Sequence, residues 1–254
     1  MEMSINSPVR FIGVGGDTVY ACGIQGQPVM QCVLGEEKCQ WTEIGAPASS
    51  LAYDGTHLYM IGKESGAVSR YEGKPNSWTP LGAEAKLFSA GGGYLYIYNK
   101  QQDQLLKYGG APGKWTHIGN SASSMAARSN GILYVVSTQN DGSVWSVDTN
   151  VTPASSQCIY DSTDALAVFS DSVTAYVVTT SGTVKKYESS RGGGWLDVDQ
   201  KPISLATGAP GQLYVASLDN NGAVLTVDTD VLPAKSVSIY NGGDTMAVFG
   251  NREC

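Results

Sequence analysis

The chain has 254 residues, 31 of them glycine and only 15% charged, with a net charge of −7. Folding at this length can bury about 70% of the extended surface, so the size permits a core without disulfides or metals. The acidic balance, with no basic cluster longer than Lys185-Lys186, argues against nucleic-acid binding and against attachment to an anionic membrane. No run approaches the roughly 18 apolar residues of a membrane span. The opening Met-Glu-Met-Ser-Ile-Asn-Ser-Pro has neither a basic nor an apolar signal region, which predicts a soluble protein, cytoplasmic or released without a signal peptide. Cys22, Cys32, Cys39, Cys158 and Cys254 lack CxxC spacing, so neither a disulfide framework nor a zinc site is expected, and a reducing compartment follows.

In chain order the elements repeat. Trp41-Thr42-Glu43-Ile44-Gly45, Trp78-Thr79-Pro80-Leu81-Gly82 and Trp115-Thr116-His117-Ile118-Gly119 recur with a period of 37. A weaker copy starts at Trp195, while Ile159-Tyr160 and Ile239-Tyr240 stand in its place elsewhere. Between these words runs an apolar-Tyr step whose tyrosines are Tyr20, Tyr59, Tyr96, Tyr134, Tyr176 and Tyr214. Six units follow, at about 9–45, 46–82, 83–119, 120–160, 161–199 and 200–241.

Each unit reads as four short strands. In the fourth these are Ser124–Ala127, Ile132–Ser137, Ser143–Asp148 and Gln157–Tyr160, separated by Gly, Asn and Asp turn clusters. The one helical candidate, Ser162–Phe169, aligns with strands of the other units and is read as strand. A four-stranded meander cannot cover both of its faces alone. The expected fold is therefore all-β: a six-bladed β-propeller of four-stranded antiparallel blades, its ring closed by terminal strands. The segment 244–250 repeats a first strand of the fifth unit, and Thr245–Phe249 is expected to pair in the N-terminal blade beside Phe11–Val14 and Val19–Gly23. Units four and six form one subtype, and units two, three and five another that ends its third strand in Arg70-Tyr71, Lys107-Tyr108 or Lys186-Tyr187.

These words, W-T-x-[IL]-G followed by small residues, G-x-LY and G-x-[LV]-x-x-[YW], resemble the blades of β-propeller lectins of the tectonin, tachylectin and fucose-binding types. The resemblance implies a multivalent lectin that binds glycans or glycoproteins in shallow sites between or at the rims of blades, without a cofactor. Sugar sites need an aromatic face and a few convergent polar groups. Trp41, Trp78, Trp115 and Trp195 are the candidate platforms, with Glu43, Glu84, His117, Asn120 and Asp197 as the polar groups. The same tryptophans also read as packing between blades, and the apolar-Tyr tyrosines read as core.

Asp219-Asn220-Asn221-Gly222 and Asn140-Asp141-Gly142 read as hairpin turns, since they lack the ordered oxygen run of a calcium loop. Arg128, on a first strand, is expected near the central channel. His57 and His117 occupy non-equivalent repeat positions, and the chain has no G-x-S-x-G, H-E-x-x-H or Walker loop. No enzymatic activity and no metal site are expected. A protein-protein interaction scaffold is the alternative to the lectin, and a channel-mouth enzyme is the third reading.

Overall fold

The computed structural model describes residues 9–15, 18–23, 27–33, 41–171, 173–188, 193–198, 202–207, 210–217, 224–231 and 234–240. Twenty-four strands form six four-stranded antiparallel sheets, each paired in chain order. Every sheet is thus the meander that the repeat predicts, and each serves as a blade. The segment expected to close the ring, 244–250, lies outside the described residues. The chain divides into two compact units, Met1–His117 and Ile118–Cys254.

The first unit holds β1 (Val9–Gly15), β2 (Thr18–Gly23), β3 (Val29–Val33) and β4 (Thr42–Gly45) as blade 1. Blade 2 is β5 (Ala48–Tyr53), β6 (Leu58–Gly62), β7 (Ala67–Tyr71) and β8 (Trp78–Glu84). Blade 3 is β9 (Leu87–Gly91), β10 (Tyr94–Asn99), β11 (Gln104–Tyr108) and β12 (Trp115–Gly119). Their core is two layers between blades. Ile44, Ala48, Leu58, Met60 and Tyr71 fill the first, and Tyr59, Val68, Leu81, Leu95 and Ile97 the second. Second strands such as Leu58-Tyr59-Met60-Ile61 are covered on both faces, so they run apolar without alternation.

In the second unit, blade 4 is β13 (Ala122–Ala127), β14 (Ile132–Ser137), β15 (Val144–Asp148) and β16 (Ser155–Tyr160). Blade 5 is β17 (Ala165–Ser170), β18 (Ala175–Thr179), β19 (Val184–Glu188) and β20 (Gly194–Asp197), and blade 6 is β21 (Pro202–Thr207), β22 (Gln212–Ser217), β23 (Val224–Asp228) and β24 (Lys235–Tyr240). Tyr134, Val136, Val144, Val168 and Val177 pack between blades 4 and 5, and Tyr176, Val184, Leu213, Val215 and Val227 between blades 5 and 6. The strand reading of Ser162–Phe169 holds, since β17 occupies most of it.

A β-bulge interrupts the pairing of first and second strands at the same place in blades 2, 4 and 5, skipping Ser49, Ser123 and Leu166. The skipped residue leaves the blade face. Ser49 and Ser123 return their hydroxyls to the second-strand carbonyls of Ile61 and Val136, and Leu166 is turned out to 57% exposure. Cys32, buried on β3, is disulfide-bonded, which the absence of a disulfide framework leaves open. An odd cysteine count and the absence of CxxC spacing do not exclude a single bridge.

Candidate functional site

The repeat tryptophans are built into the joints between blades. Trp78 at the start of β8 donates its indole N–H to the carbonyl of Ile44 on β4, at 2.7 Å. Trp115 repeats the bond to Leu81, at 2.9 Å, and Trp195 to Ile159, at 2.6 Å. The same oxygens of Ile44 and Leu81 also accept the backbone N–H of Asn76 and of Gly113, both at 2.9 Å. Those donors sit in turns that need a left-handed residue, with φ of 60° at Asn76 and 74° at Gly113. Each ring then packs at a tilt against the tyrosine that ends the preceding strand, with 5.1 Å between the centroids and 42° between the planes of Tyr71 and Trp78, and 5.1 Å and 49° for Tyr108 and Trp115. A Cβ on Gly45 would fall inside the Trp78 indole. Gly45 is thus the seat of Trp78, whereas at Gly82, with φ of 72°, a Cβ would meet the Gly113 backbone.

At the opposite end of the blades, a groove of about 480 Å³ opens between blades 2 and 3. Its walls are the turn 62–66 between β6 and β7 and the turn 99–101 after β10, and its floor is the link 84–86 between blades. That link is stitched to both blades, because the Ala85 N–H bonds the Gly66 carbonyl and the Lys86 N–H bonds the Tyr98 carbonyl, each at 2.9 Å. The bulged Ser49 joins the floor. Lys63, Lys86, Lys100, Glu64 and Glu84 surround the opening and are exposed. Among the described residues none of these five forms an ion pair within 4.0 Å. The groove thus has a hydrogen-bonded backbone floor and an exposed charged rim.

No family model matches the chain, and no curated protein matches it by sequence. Solved structures do match. A YCF48 structure bound to a D1 peptide superposes with a TM-score of 0.63 at 11% identity, over 91% of this chain and 81% of that one. The Cps50 (Swd1) β-propeller domain of Myceliophteria thermophila gives 0.66 at 9% identity, over 99% and 91%. A structure from a nidogen/laminin complex gives 0.62 at 12%, over 92% and 96%. The fold is a β-propeller. At these identities the likeness carries the architecture of the propeller and no activity.

Of the sequence candidates, the propeller brings Glu84 to the groove. Trp78 lies at the other end of the same strand, some 20 Å away at ~3.3 Å per residue. Trp115 and Asn120 are likewise separated along and beyond β12. Trp41 is half-buried just before β4, and Glu43 is exposed on that strand opposite Met30. His117 and Asn120 are exposed in and after β12. Asp197, at the end of β20, pairs with Lys185 at 2.5 Å.

Other polar residues went unread in the sequence because their chemistry depends on the turns they close. Asp54, 3% exposed, follows β5 and accepts the N–H groups of Thr56 and His57 at 2.7 Å and the Tyr59 hydroxyl at 2.8 Å. Asp171 does the same after β17 for Val173, Thr174 and Tyr176, and also takes the Gly211 N–H of blade 6. Burial, followed by the charge of Asp54 or Asp171, pushes Tyr59 and Tyr176 far above the ordinary phenol value. The signal available in the sequence was an Asp followed by a Thr and then a Tyr five residues on, as in Asp54–Tyr59 and Asp171–Tyr176. Lys186 of the basic-Tyr pair is buried rather than solvated. Its ammonium bonds Asp230 at 2.6 Å and the Thr229 carbonyl at 3.1 Å, joining blade 5 to blade 6.

Proposed function

We propose that the chain is a protein-interaction propeller, a binding module rather than an enzyme, whose groove between blades 2 and 3 receives an extended segment of a partner protein. The observation that carries this is that the groove's charged rim is not repeated in the described turns of blades 4 and 5. Lys63 and Lys100 sit in the turns between second and third strands of blades 2 and 3, whereas the matching turns of blades 4 and 5, Thr138–Gly142 and Thr180–Gly182, hold no lysine. A lectin that reads one sugar many times repeats its site from blade to blade. A site whose rim differs from the matching described turns of blades 4 and 5 suits one macromolecular partner. The stitched link gives that partner a preformed floor, which lowers the ordering cost of binding. Propellers of this architecture include a YCF48 bound to a peptide and a member of a nidogen/laminin complex, in keeping with a peptide or protein ligand.

The glycan reading is the second one. It rests on the part-exposed rings of Trp41, Trp78, Trp115 and Trp195, and it has to use ring faces only at Trp78, Trp115 and Trp195, whose N–H groups are committed to neighbouring blades. Display of a random peptide library on the intact protein, run beside a glycan array, separates the two. Enrichment of peptides whose binding is lost in Ser65→Trp, an exposed rim position, supports the groove. Glycan signals that survive Ser65→Trp and fall with Trp78→Ala would replace it with the lectin.

A further inference from the structure

We infer that the segment received by the groove is acidic, carrying Asp or Glu side chains at alternate positions. This rests on the protein-interaction reading above and gives it a ligand chemistry. The chain as a whole has a net charge of −7, yet the groove inverts that sign. Its charged residues are three lysines (Lys63, Lys86, Lys100) and two glutamates (Glu64, Glu84), a local balance of +1. The lysines come from three separate stretches of chain: the turn after β6, the link between blades, and the turn after β10. The positive charge of the groove is therefore contributed by all three segments that line it.

Elsewhere among the described residues some cations are paired and others, such as the exposed Lys74, Lys114 and Lys235, are not, so the groove is marked by gathering three unpaired lysines around one opening. Lys185 has Asp197, Lys186 has Asp230, and Arg70 has Glu72. Lys63 and Lys86 have carboxylates beside them in sequence, at Glu64 and Glu84, and none of the three groove lysines pairs with either. An incoming carboxylate meets cations already held near the surface without displacing an internal partner. Alternation follows from strand geometry, because an extended segment laid along a groove turns every second side chain to the floor and walls. The intervening positions face solvent.

The test uses short synthetic peptides alternating Glu with Ser, with Gln or Lys replacing Glu in the two controls, titrated calorimetrically into the intact protein. The acidic peptide should bind at least about ten-fold more tightly than the Gln peptide at low salt and weaken as NaCl rises from about 0.05 to 0.3 M. The triple variant K63Q/K86Q/K100Q should lose that advantage while its melting temperature stays unchanged. K74Q/K114Q/K235Q, three exposed lysines away from the groove, should bind as the parent does. Equal binding of acidic and Gln peptides, both abolished by Ser65→Trp, would overturn the acidic inference and leave the groove intact as a binding site. Undiminished acidic binding by the groove triple variant would overturn it as well. Loss in the second triple variant would do the same, by revealing a diffuse attraction. Failure of all peptides, synthetic and displayed, would remove the inference and the protein-interaction reading together.

Discussion

Trp78 and Trp115 each commit their single indole donor to a carbonyl 34 residues upstream, and a backbone N–H from the same turn bonds that oxygen too. The sequence shows the word Trp-Thr-x-[Ile/Leu]-Gly and its period. It does not show that the tryptophan of one copy docks on the Ile or Leu of the copy before it, because a contact at that separation leaves no local pattern. Replacing Trp78 by Phe keeps most of the ring and removes one of two donors to Ile44. The expected cost is about 1 kcal/mol, read by urea unfolding at constant m-value. Asn76→Gly should be nearly neutral and Asn76→Ala should cost about 1 kcal/mol, since φ there is 60°. A Trp78→Phe protein as stable as the parent would show that the indole bond contributes nothing.

Strands were the most legible part of the molecule. In blade 4 the expected and observed ends agree within two residues, and the second strands announce themselves as continuous apolar runs. The bulges were not legible. A skipped residue changes which face every later side chain takes, and in Ala165-Leu166-Ala167-Val168-Phe169 the apolar content is the same on both faces. That is why Leu166 is exposed while Val168 is 3% exposed. Leu166→Ser should therefore alter stability by no more than about 0.5 kcal/mol, and Val168→Ala should cost more than about 1 kcal/mol in the same denaturation assay. The joint between blades 5 and 6 makes a second prediction. Lys186 is buried, whereas the Asp230 side chain is 65% exposed. Asp230→Ala leaves the buried ammonium only the Thr229 carbonyl and Glu188, 3.5 Å away, and should cost roughly 1–2 kcal/mol, while Lys186→Met leaves a carboxylate that water can solvate and should cost less. The reverse order would mean that the pair acts mainly through its methylene packing.

For the molecule as a whole, seven tyrosines share one electrostatic behaviour. Tyr20, Tyr59, Tyr71, Tyr108, Tyr134, Tyr160 and Tyr176 are all raised, in each case first by burial, and Tyr160 is pushed up to about 12 with help from its hydrogen bond to Asp164. A group that holds its proton more tightly when folded stabilises the fold below its unfolded pKa near 10. That stability is lost as pH rises through the folded value, about 12 for Tyr160. The melting temperature should thus fall steeply above about pH 10, and absorbance at 295 nm should show these seven of the 14 tyrosines ionising late, with unfolding. Simultaneous titration of all tyrosines near pH 10 in a folded protein would contradict the burial of the second strands.

The propeller was readable in the sequence because it is repetitive, and the groove was not, because it departs from the repeat. Lys63, Lys86 and Lys100 lie in turns and links that hold no common word, and only folding places them around one opening. The most direct measurement is hydrogen–deuterium exchange on the intact protein, with and without a peptide enriched by display. The account predicts slowed exchange confined to 62–66, 84–86 and 99–101, with the tryptophan turns 72–78 and 109–115 unchanged. Protection at those tryptophan turns, with none around the groove, would contradict it.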